Sequence, residues 1–270
     1  FVAGELHYWR TSPHRHHEIL QRCRQLGLNV IATYIPWQYH ELAPGRFDFR
    51  GDTEPQRDLC GFLDRLAAEN FWVFIRPGPF IYAEWTNAGV PDRVVTLPRL
   101  SDAYRREAAV WMAAVTDVIR PHLATRGGRI VLFQPDNEMD LFSHWFEGPC
   151  GLDGTAVGFY HDFLRDAYAG NLADLNAAWG TGYQRFEDVP AFSAVLDPLD
   201  PHARARHRDF WRFQHWATRA GIAWHVQEYR RLGIDVPMVA NYYPGGDVQN
   251  WREVRKAVAH VGIDWYPRHE

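Results

Sequence analysis

The chain has little of what marks several large classes of protein. Lys256 is the single lysine among 270 residues, and a net charge of −4 with an isoelectric point near 6.4 provides no basic stripe for nucleic acid. No apolar run reaches the roughly 18 residues that a membrane span requires. The sequence therefore predicts a protein that binds neither nucleic acid nor a membrane.

Cysteine is also scarce. Cys23 and Cys60 lie on the apolar faces of predicted helices, and Cys150 lies in a predicted loop. An odd, sparse set predicts free thiols and favours a reducing, cytoplasmic compartment. No signal peptide is visible, but the chain starts at Phe1 inside a predicted strand with no initiator methionine. We therefore expect a trimmed N-terminus, with which a signal peptide would still be compatible.

Motifs for phosphate or zinc binding are missing as well. Gly4-Glu-Leu-His7 in the first strand is not a dinucleotide-binding loop, and there is no Walker loop. His14, His16 and His17 fall in the first turn of an amphipathic helix, and no His-x-x-x-His or cysteine pair supports zinc. We interpret these histidines as solvated surface, and the sequence predicts no metal and no cofactor.

The chain does contain a regular alternation of strands and helices. Helices are predicted after Ser12-Pro13, near Gln56–Glu69, after Ser101-Asp102, after Asn171, over Pro201–Leu232 and after Asn250. Six strands are predicted at Phe1–Tyr8, Asn29–Ile35, Phe71–Ile75, Ile130–Phe133, Pro237–Tyr242 and Val261–Trp265. Strands that alternate with helices pair in parallel through crossovers.

Polar side chains at the strand ends distinguish two parallel folds. An open doubly wound sheet would carry a glycine-rich loop after its first strand, which this chain lacks. A barrel instead feeds polar groups from many strands to one rim. Here they come from six strand ends: His7 and Tyr8; Tyr34 and Trp37; Arg76, Tyr82 and Glu84; Asn137 and Glu138; Asn241 and Tyr242; Asp264 and Tyr266. The sequence thus predicts one (β/α)8 TIM-barrel domain over residues 1–270, with six β/α units in this chain.

The fourth of these strands ends in an amide beside a carboxylate. The apolar run Ile130–Phe133 stops at Gln134-Pro135 and delivers Asp136-Asn137-Glu138. A glutamate there can protonate a glycosidic oxygen, and the asparagine can hold a sugar hydroxyl. The alternative is an ordinary strand end followed by a polar turn. With 12 Trp, 12 Tyr and 16 Phe, the chain also has many flat rings that could stack on sugars, although aromatics serve cores first.

Several blocks resemble the β-galactosidases of glycoside hydrolase family 35. They are Gly4-Glu-Leu-His-Tyr8, Thr33-Tyr-Ile-Pro-Trp37, His40-Glu41, Gly45-Arg-Phe-Asp-Phe49 and Arg76-Pro-Gly-Pro-Phe-Ile-Tyr-Ala-Glu-Trp85. The second half is similar to family 42 at Leu175-Asn-Ala-Ala-Trp-Gly180, Val239-Ala-Asn-Tyr-Tyr243 and Ile263-Asp-Trp-Tyr-Pro267. Both families are retaining (β/α)8 barrels, so the resemblance implies that fold and a retaining β-galactosidase that acts on terminal galactose.

The resemblance also implies residue roles. Glu138 matches the acid/base, and four residues match positions that line the family's galactose pocket: Asn137, Tyr34, Ala83 and Glu84. Tyr82 stands where many members have cysteine, and it is included as a substrate-binding candidate. We add Arg76 as a rim residue, with a structural ion pair as the alternative, and Trp85 as a stacking residue, with core packing as the alternative. Tyr266, just past the sixth strand, is a further candidate for substrate binding.

A retaining mechanism needs a second carboxylate about 5 Å from the first. In these families it is a glutamate at the end of the seventh strand, and Glu270 follows the sixth strand too closely to be that residue. We expect the natural polypeptide to continue past Glu270 and to supply strands seven and eight. The alternative is a non-catalytic carbohydrate-binding barrel, and a related β-glycosidase with another sugar specificity also stays open. The predicted partner is a β-galactoside, and the sequence is compatible with a homo-oligomer.

Overall fold

The computed structural model describes residues 1–138, 157–190, 199–242 and 248–264. Its strands are, in chain order, β1 (Ala3–Glu5), β2 (Val30–Tyr34), β3 (Glu41–Ala43), β4 (Arg46–Phe47), β5 (Trp72–Arg76), β6 (Ile130–Phe133), β7 (Val239–Tyr242) and β8 (His260–Ile263). Nine α-helices are described: α1 (His16–Gln25), α2 (Trp37–His40), α3 (Leu59–Ala68), α4 (Asp92–Val95), α5 (Asp102–Ile119), α6 (Val157–Ala167), α7 (Leu172–Trp179), α8 (Pro201–Arg231) and α9 (Val248–Val254).

Six of the strands form one parallel series. A four-stranded sheet has the order β1-β2-β5-β6, and β7 pairs in parallel with β8. A parallel bridge between Phe133 and Met238 joins the end of β6 to the start of β7. The strands therefore follow one another in chain order, as successive β/α units of a barrel do, while β3 and β4 form a small antiparallel hairpin.

The register brings the strand ends to one rim. Tyr34 at the end of β2 is the register partner of Arg76 at the end of β5. Glu5 at the end of β1 is the register partner of Ala32, two residues before Tyr34 in β2. All five residues of β2 are buried, as expected for a parallel strand covered on both faces.

Two large buried clusters hold most of the helices in place, and a smaller third one packs α9 against α8 and β7 through Ile222, Ala240, Val254 and Val258. The largest, which we call the barrel core, packs the strands against α1, α3 and α5 and the last turns of α8. The second lies among α6, α7 and the first half of α8, which we call the helical layer, with Tyr160, Leu164 and Phe213 at its centre. The barrel and the helical layer therefore share one long helix but have separate apolar interiors.

Local capping explains several helix starts. The Ser101 hydroxyl accepts from the Tyr104 N–H at 3.2 Å, and Asn171 Oδ1 accepts from the N–H groups of Ala173 and Asp174, as predicted. Two predicted starts were wrong. Ser12 precedes a 3-10 turn without a side-chain cap, so that α1 begins only at His16, and Asn250 lies inside α9 because that helix begins at Val248.

The prediction of a solvated histidine cluster was wrong for His16. Its ring is buried against Phe62 and hydrogen-bonds Thr11 at 2.9 Å, because the start of α1 packs against α3 at this position. Cys23 and Cys60 are free thiols, as predicted. Across the described ranges, no helix is both long and apolar enough to cross a bilayer.

Candidate active site

A cavity of about 400 Å³ opens where the parallel strands end. It draws on the ends of β1, β2, β5, β6 and β8 and on the loop after β5, as the rim of a barrel does. Its lining residues are Glu5, Tyr34, Arg76, Tyr82, Ala83, Glu84, Asn137, Glu138, Ile263 and Asp264. The structure thus brings seven of the nine predicted site residues together: Tyr34, Arg76, Tyr82, Ala83, Glu84, Asn137 and Glu138.

The carbonyl oxygen of Asn137 is the centre of the polar network in this cavity. Oδ1 accepts hydrogen bonds from Tyr34 Oη at 2.8 Å, Gln134 Nε2 at 2.9 Å, Asn241 Nδ2 at 2.9 Å and Arg76 Nη2 at 3.3 Å. Among the described residues, no hydrogen bond uses the NH2 group of Asn137. The network therefore fixes the amide by its oxygen and leaves its two N–H donors for a ligand.

Asn241, from the end of β7, connects the neighbouring strand ends. Its Oδ1 accepts from the Glu138 backbone N–H at 3.2 Å and from Gln134 Nε2 at 2.8 Å. Its Nδ2 also donates to Asp264 Oδ2 at 2.7 Å. Asp264 is thus hydrogen-bonded to a neighbouring strand end, and it lines the cavity as well.

Glu138 is buried at the cavity wall and has a left-handed backbone, with φ of 42°. A glutamate rarely adopts this conformation, which costs on the order of 1–3 kcal/mol unless its surroundings enforce it. The hydrogen bond from its N–H to Asn241 is one such restraint. The strand end is therefore held in a shape that its own residue preferences would not select.

Arg76 satisfies both of the alternatives posed for it. Its guanidinium pairs with the Glu5 carboxylate and donates from Nε to Gln134 Oε1 at 3.0 Å. The same group lies 3.8 Å from the centre of the Tyr34 ring and lines the cavity. Burial raises the pKa of Tyr34 well above its ordinary value, against the opposing charge of Arg76. Tyr34 therefore stays a neutral phenol that donates to Asn137.

The loop after β5 carries three consecutive left-handed residues. Tyr82, Ala83 and Glu84 have φ values of 53°, 48° and 48°. The Arg10 guanidinium donates to the Ala83 carbonyl and lies 3.4 Å from the Glu84 carboxylate. Glu84 remains 86% exposed. This strained loop presents a largely free carboxylate at the cavity mouth.

The two remaining predicted site residues have different outcomes. Trp85 does not line the cavity: its ring packs edge-on against Trp9 at 5.0 Å, and its Nε1 donates to Gln38 Oε1 at 2.9 Å. The arrangement matches the packing alternative, because Trp9 and Gln38 hold the indole. Tyr266 lies outside the described residues.

Glu5, Gln134 and Asn241 also belong to this site: Asn241 was predicted only as a polar residue of the rim, and Glu5 and Gln134 were not predicted. Position at a strand end was the available signal, but Gln134 sits before a proline and Glu5 within a strand, so neither was assigned a role. Four carboxyl groups line the cavity against one guanidinium. Within the described ranges, no group of three or more acidic, histidine or cysteine side chains could hold a metal ion. The arrangement suits a neutral or cationic polar ligand with many hydroxyls.

Comparisons with known proteins agree with this geometry. The family described as "Glycosyl hydrolases family 35" matches residues 1–147. The "Beta-galactosidase-1-like protein" of Mus musculus is 38% identical over 88% of this chain and 39% of its own length. The "Exo-beta-D-glucosaminidase" of Pyrococcus horikoshii is 29% identical over 87% of this chain and 33% of its own length. The chain thus spans about a third of the length of these curated relatives.

The solved structures support the fold. The β-galactosidase from the psychrophilic Marinomonas ef1 matches with a TM-score of 0.73, over 98% of this chain and 40% of that one. Sequence identity is 18%, so the likeness concerns the fold. The predicted (β/α)8 barrel architecture is confirmed for the units that this chain contains.

Proposed function

The chain belongs to glycosyl hydrolases family 35, and we propose that the full-length protein is a retaining, exo-acting β-galactosidase with Glu138 as its acid/base. One observation carries the proposal: Asn137 and Glu138 stand side by side in a cavity at the barrel rim, with the Asn137 oxygen engaged by four donors. A site of this kind can hold a sugar hydroxyl with one residue and protonate a glycosidic oxygen with the next.

In the proposed reaction, Glu138 first gives its proton to the oxygen of the leaving group. It then takes a proton from the water that attacks the glycosyl-enzyme intermediate. Asn137 presents its amide N–H donors to the sugar, and hydrogen bonds to the 2-hydroxyl strengthen as the transition state forms.

Sugar recognition is assigned to the loop after β5. The exposed Glu84 carboxylate can accept charge-assisted hydrogen bonds from two hydroxyls, beside the main chain of Tyr82 and Ala83. The second carboxylate of the mechanism is assigned, as the family resemblance implies, to a glutamate at the end of the seventh barrel strand.

A second candidate is an exo-β-D-glucosaminidase. Two observations favour it: the relative from Pyrococcus horikoshii carries that name, and four carboxyl groups face one guanidinium across the cavity. A negative cavity would attract the ammonium group of an amino sugar more strongly than a neutral galactose.

The test is hydrolysis of matched aryl glycosides by the full-length protein. Aryl β-galactoside, β-glucosaminide and β-glucoside with the same leaving group should be compared by kcat/KM, with Glu138→Gln as the variant that lacks the proposed acid/base. Preference for the galactoside supports the first proposal and preference for the glucosaminide supports the second. Binding of sugar without turnover of any of them would leave the non-catalytic alternative and refute both.

A further inference from the structure

A buried ionic network lies directly beneath the Asn137-Glu138 pair. Asp136, the preceding residue, has a fully buried side chain. Its Oδ2 lies 3.0 Å from Arg99 Nη1 and 3.3 Å from His225 Nδ1. Its Oδ1 accepts the N–H of Asn137 at 2.9 Å. One carboxylate therefore connects two distant parts of the chain to the backbone of the proposed catalytic pair.

The partners of Asp136 are themselves anchored in the barrel core. His225 Nε2 lies 2.9 Å from the Tyr104 hydroxyl, which places α8 against α5. The Arg99 guanidinium sits over the Phe80 ring at 3.7 Å, and the Phe80 carbonyl accepts a second hydrogen bond from the Asn137 N–H at 3.2 Å. The Asn137 N–H is thus held from two sides by groups whose positions the core determines.

Charge balance makes Arg99 the counter-ion of Asp136. Burial lowers the pKa of His225 well below its ordinary value, and the positive charges of Arg99 and Arg105 lower it further. The imidazole is therefore neutral, and the charge of Asp136 is matched by Arg99. A buried carboxylate without such a partner would be expensive to maintain.

We propose that Asp136 is a positioning residue for the acid/base: paired with Arg99 and packed beside His225, it fixes the Asn137 backbone and so holds Glu138 in its left-handed conformation, aimed into the cavity. This inference rests on the proposed function, since it needs Glu138 to be the group that protonates the leaving group. The left-handed backbone of Glu138 explains why such a restraint is needed, because without it this residue would relax to a negative φ.

A displaced acid has a specific kinetic signature. A misplacement of about 1 Å can cost about 100-fold in rate. The loss falls most heavily on substrates whose leaving group needs a proton. A variant that merely reduces the folded fraction lowers the rate of every substrate by the same factor. Leaving-group dependence therefore separates positioning from structural damage.

The experiment compares Asp136→Asn with Asp209→Asn in the full-length protein. Asp209 is an equally buried aspartate in the helical layer, and it does not line the cavity. Its Oδ2 accepts hydrogen bonds from the Tyr168 hydroxyl and from Trp179 Nε1. Aryl β-glycosides of the hydrolysed sugar, from dinitrophenyl to phenyl, are the probes. We expect Asp136→Asn to lose about 10- to 100-fold more kcat/KM on phenyl than on dinitrophenyl substrate, and Asp209→Asn to lose equally on both.

Equal losses across leaving groups in Asp136→Asn would overturn the inference. If that variant does not fold, Arg99→Lys keeps the positive charge but shortens the group that holds Asp136 Oδ2, and it should give the same trend at smaller size; a flat dependence there would also overturn it. Glu138→Gln measured alongside keeps the two proposals apart. A flat response in Glu138→Gln refutes the proposed acid/base, whereas a steep response there with a flat one in Asp136→Asn refutes only the positioning role of Asp136.

Discussion

The barrel rim and the helical layer each contain one fully buried aspartate, and the two are used differently. Asp136 holds the backbone N–H of a site residue, whereas Asp209 accepts from the Tyr168 hydroxyl and from Trp179 Nε1 and so ties three helices together. Burial and residue type are the same in both places. What differs is the donor, and the donor decides whether a buried charge serves the site or the packing.

This contrast predicts that changes at the rim alter catalysis while changes in the helical layer alter stability. Glu138→Gln should give the largest effect, a loss of about 10³–10⁴-fold on substrates with poor leaving groups. Dinitrophenyl substrates should lose less at the glycosylation step, and azide should rescue deglycosylation because it needs no base. Steady-state kinetics checks this, with exposed Glu187→Gln of the helical layer as control. If Glu138→Gln hydrolysed lactose-like substrates at the wild-type rate, Glu138 would not be the acid/base.

In the helical layer, Asp209→Ala should lower the free energy of unfolding by about 2–4 kcal/mol, because the donors of Trp179 and Tyr168 lose their acceptor. Urea unfolding measures the loss, and exposed Asp166→Ala on α6 is the control. The kcat of the folded fraction should match wild type. A large change in leaving-group dependence would erase the distinction between the two regions.

The barrel core should have its own sensitivity to acid. Burial lowers the pKa of His40 to about 4, whereas an unfolded histidine titrates near 6.5. Between these values the unfolded state binds more protons, so stability present above pH 6.5 is lost as pH falls toward 4, by about 3 kcal/mol. In wild type and in exposed His14→Gln, the unfolding free energy should fall between pH 7 and pH 4 by an amount that includes this loss. In His40→Gln the fall should be smaller by about 3 kcal/mol. Equal pH dependence of stability in all three proteins would mean that His40 does not cause the acid sensitivity.

Glu84→Ala should weaken galactose binding about 10- to 100-fold while leaving unfolding unchanged. Charge-assisted hydrogen bonds contribute about 1.5–3 kcal/mol each, and Glu84 is exposed before ligand arrives. Direct titration with galactose tests this, with exposed Glu18→Ala on α1 as the control. Unchanged affinity would mean that Glu84 serves only to hold the strained loop through Arg10.

The smallest effect should be the same in both regions. Asn171→Ala removes the cap of α7 and Ser101→Ala that of α5, and each should cost about 1 kcal/mol of stability. Asn171→Ser, which keeps a capping oxygen, should restore most of it. Thermal unfolding checks the pair, and a much larger loss for Ser101 would show that this cap also supports the nearby Arg99.

Much of the rim was predictable because a parallel barrel obliges strand ends to meet. Tyr34, Asn137 and Glu138 follow from that rule together with strand patterning, and the family resemblance added Ala83 and Glu84. Gln134 and Asn241 were not assigned roles because hydrogen bonding between neighbouring strand ends depends on register, which hydrophobic periodicity does not encode. The sequence left both stacking and core packing open for Trp85, because the left-handed conformation of the three residues before it is not visible in their residue types.

By itself, the sequence determined the alternation of strands and helices, the parallel pairing and the presence of an amide and a carboxylate at one strand end. These are consequences of local periodicity, capping and chain connectivity. Only the tertiary structure decided that Arg99 and His225, 37 and 89 residues from Asp136 along the chain, close on it beneath the site. Long-range packing sets such distances, because each partner lies on its own element and meets the others only when the core is complete.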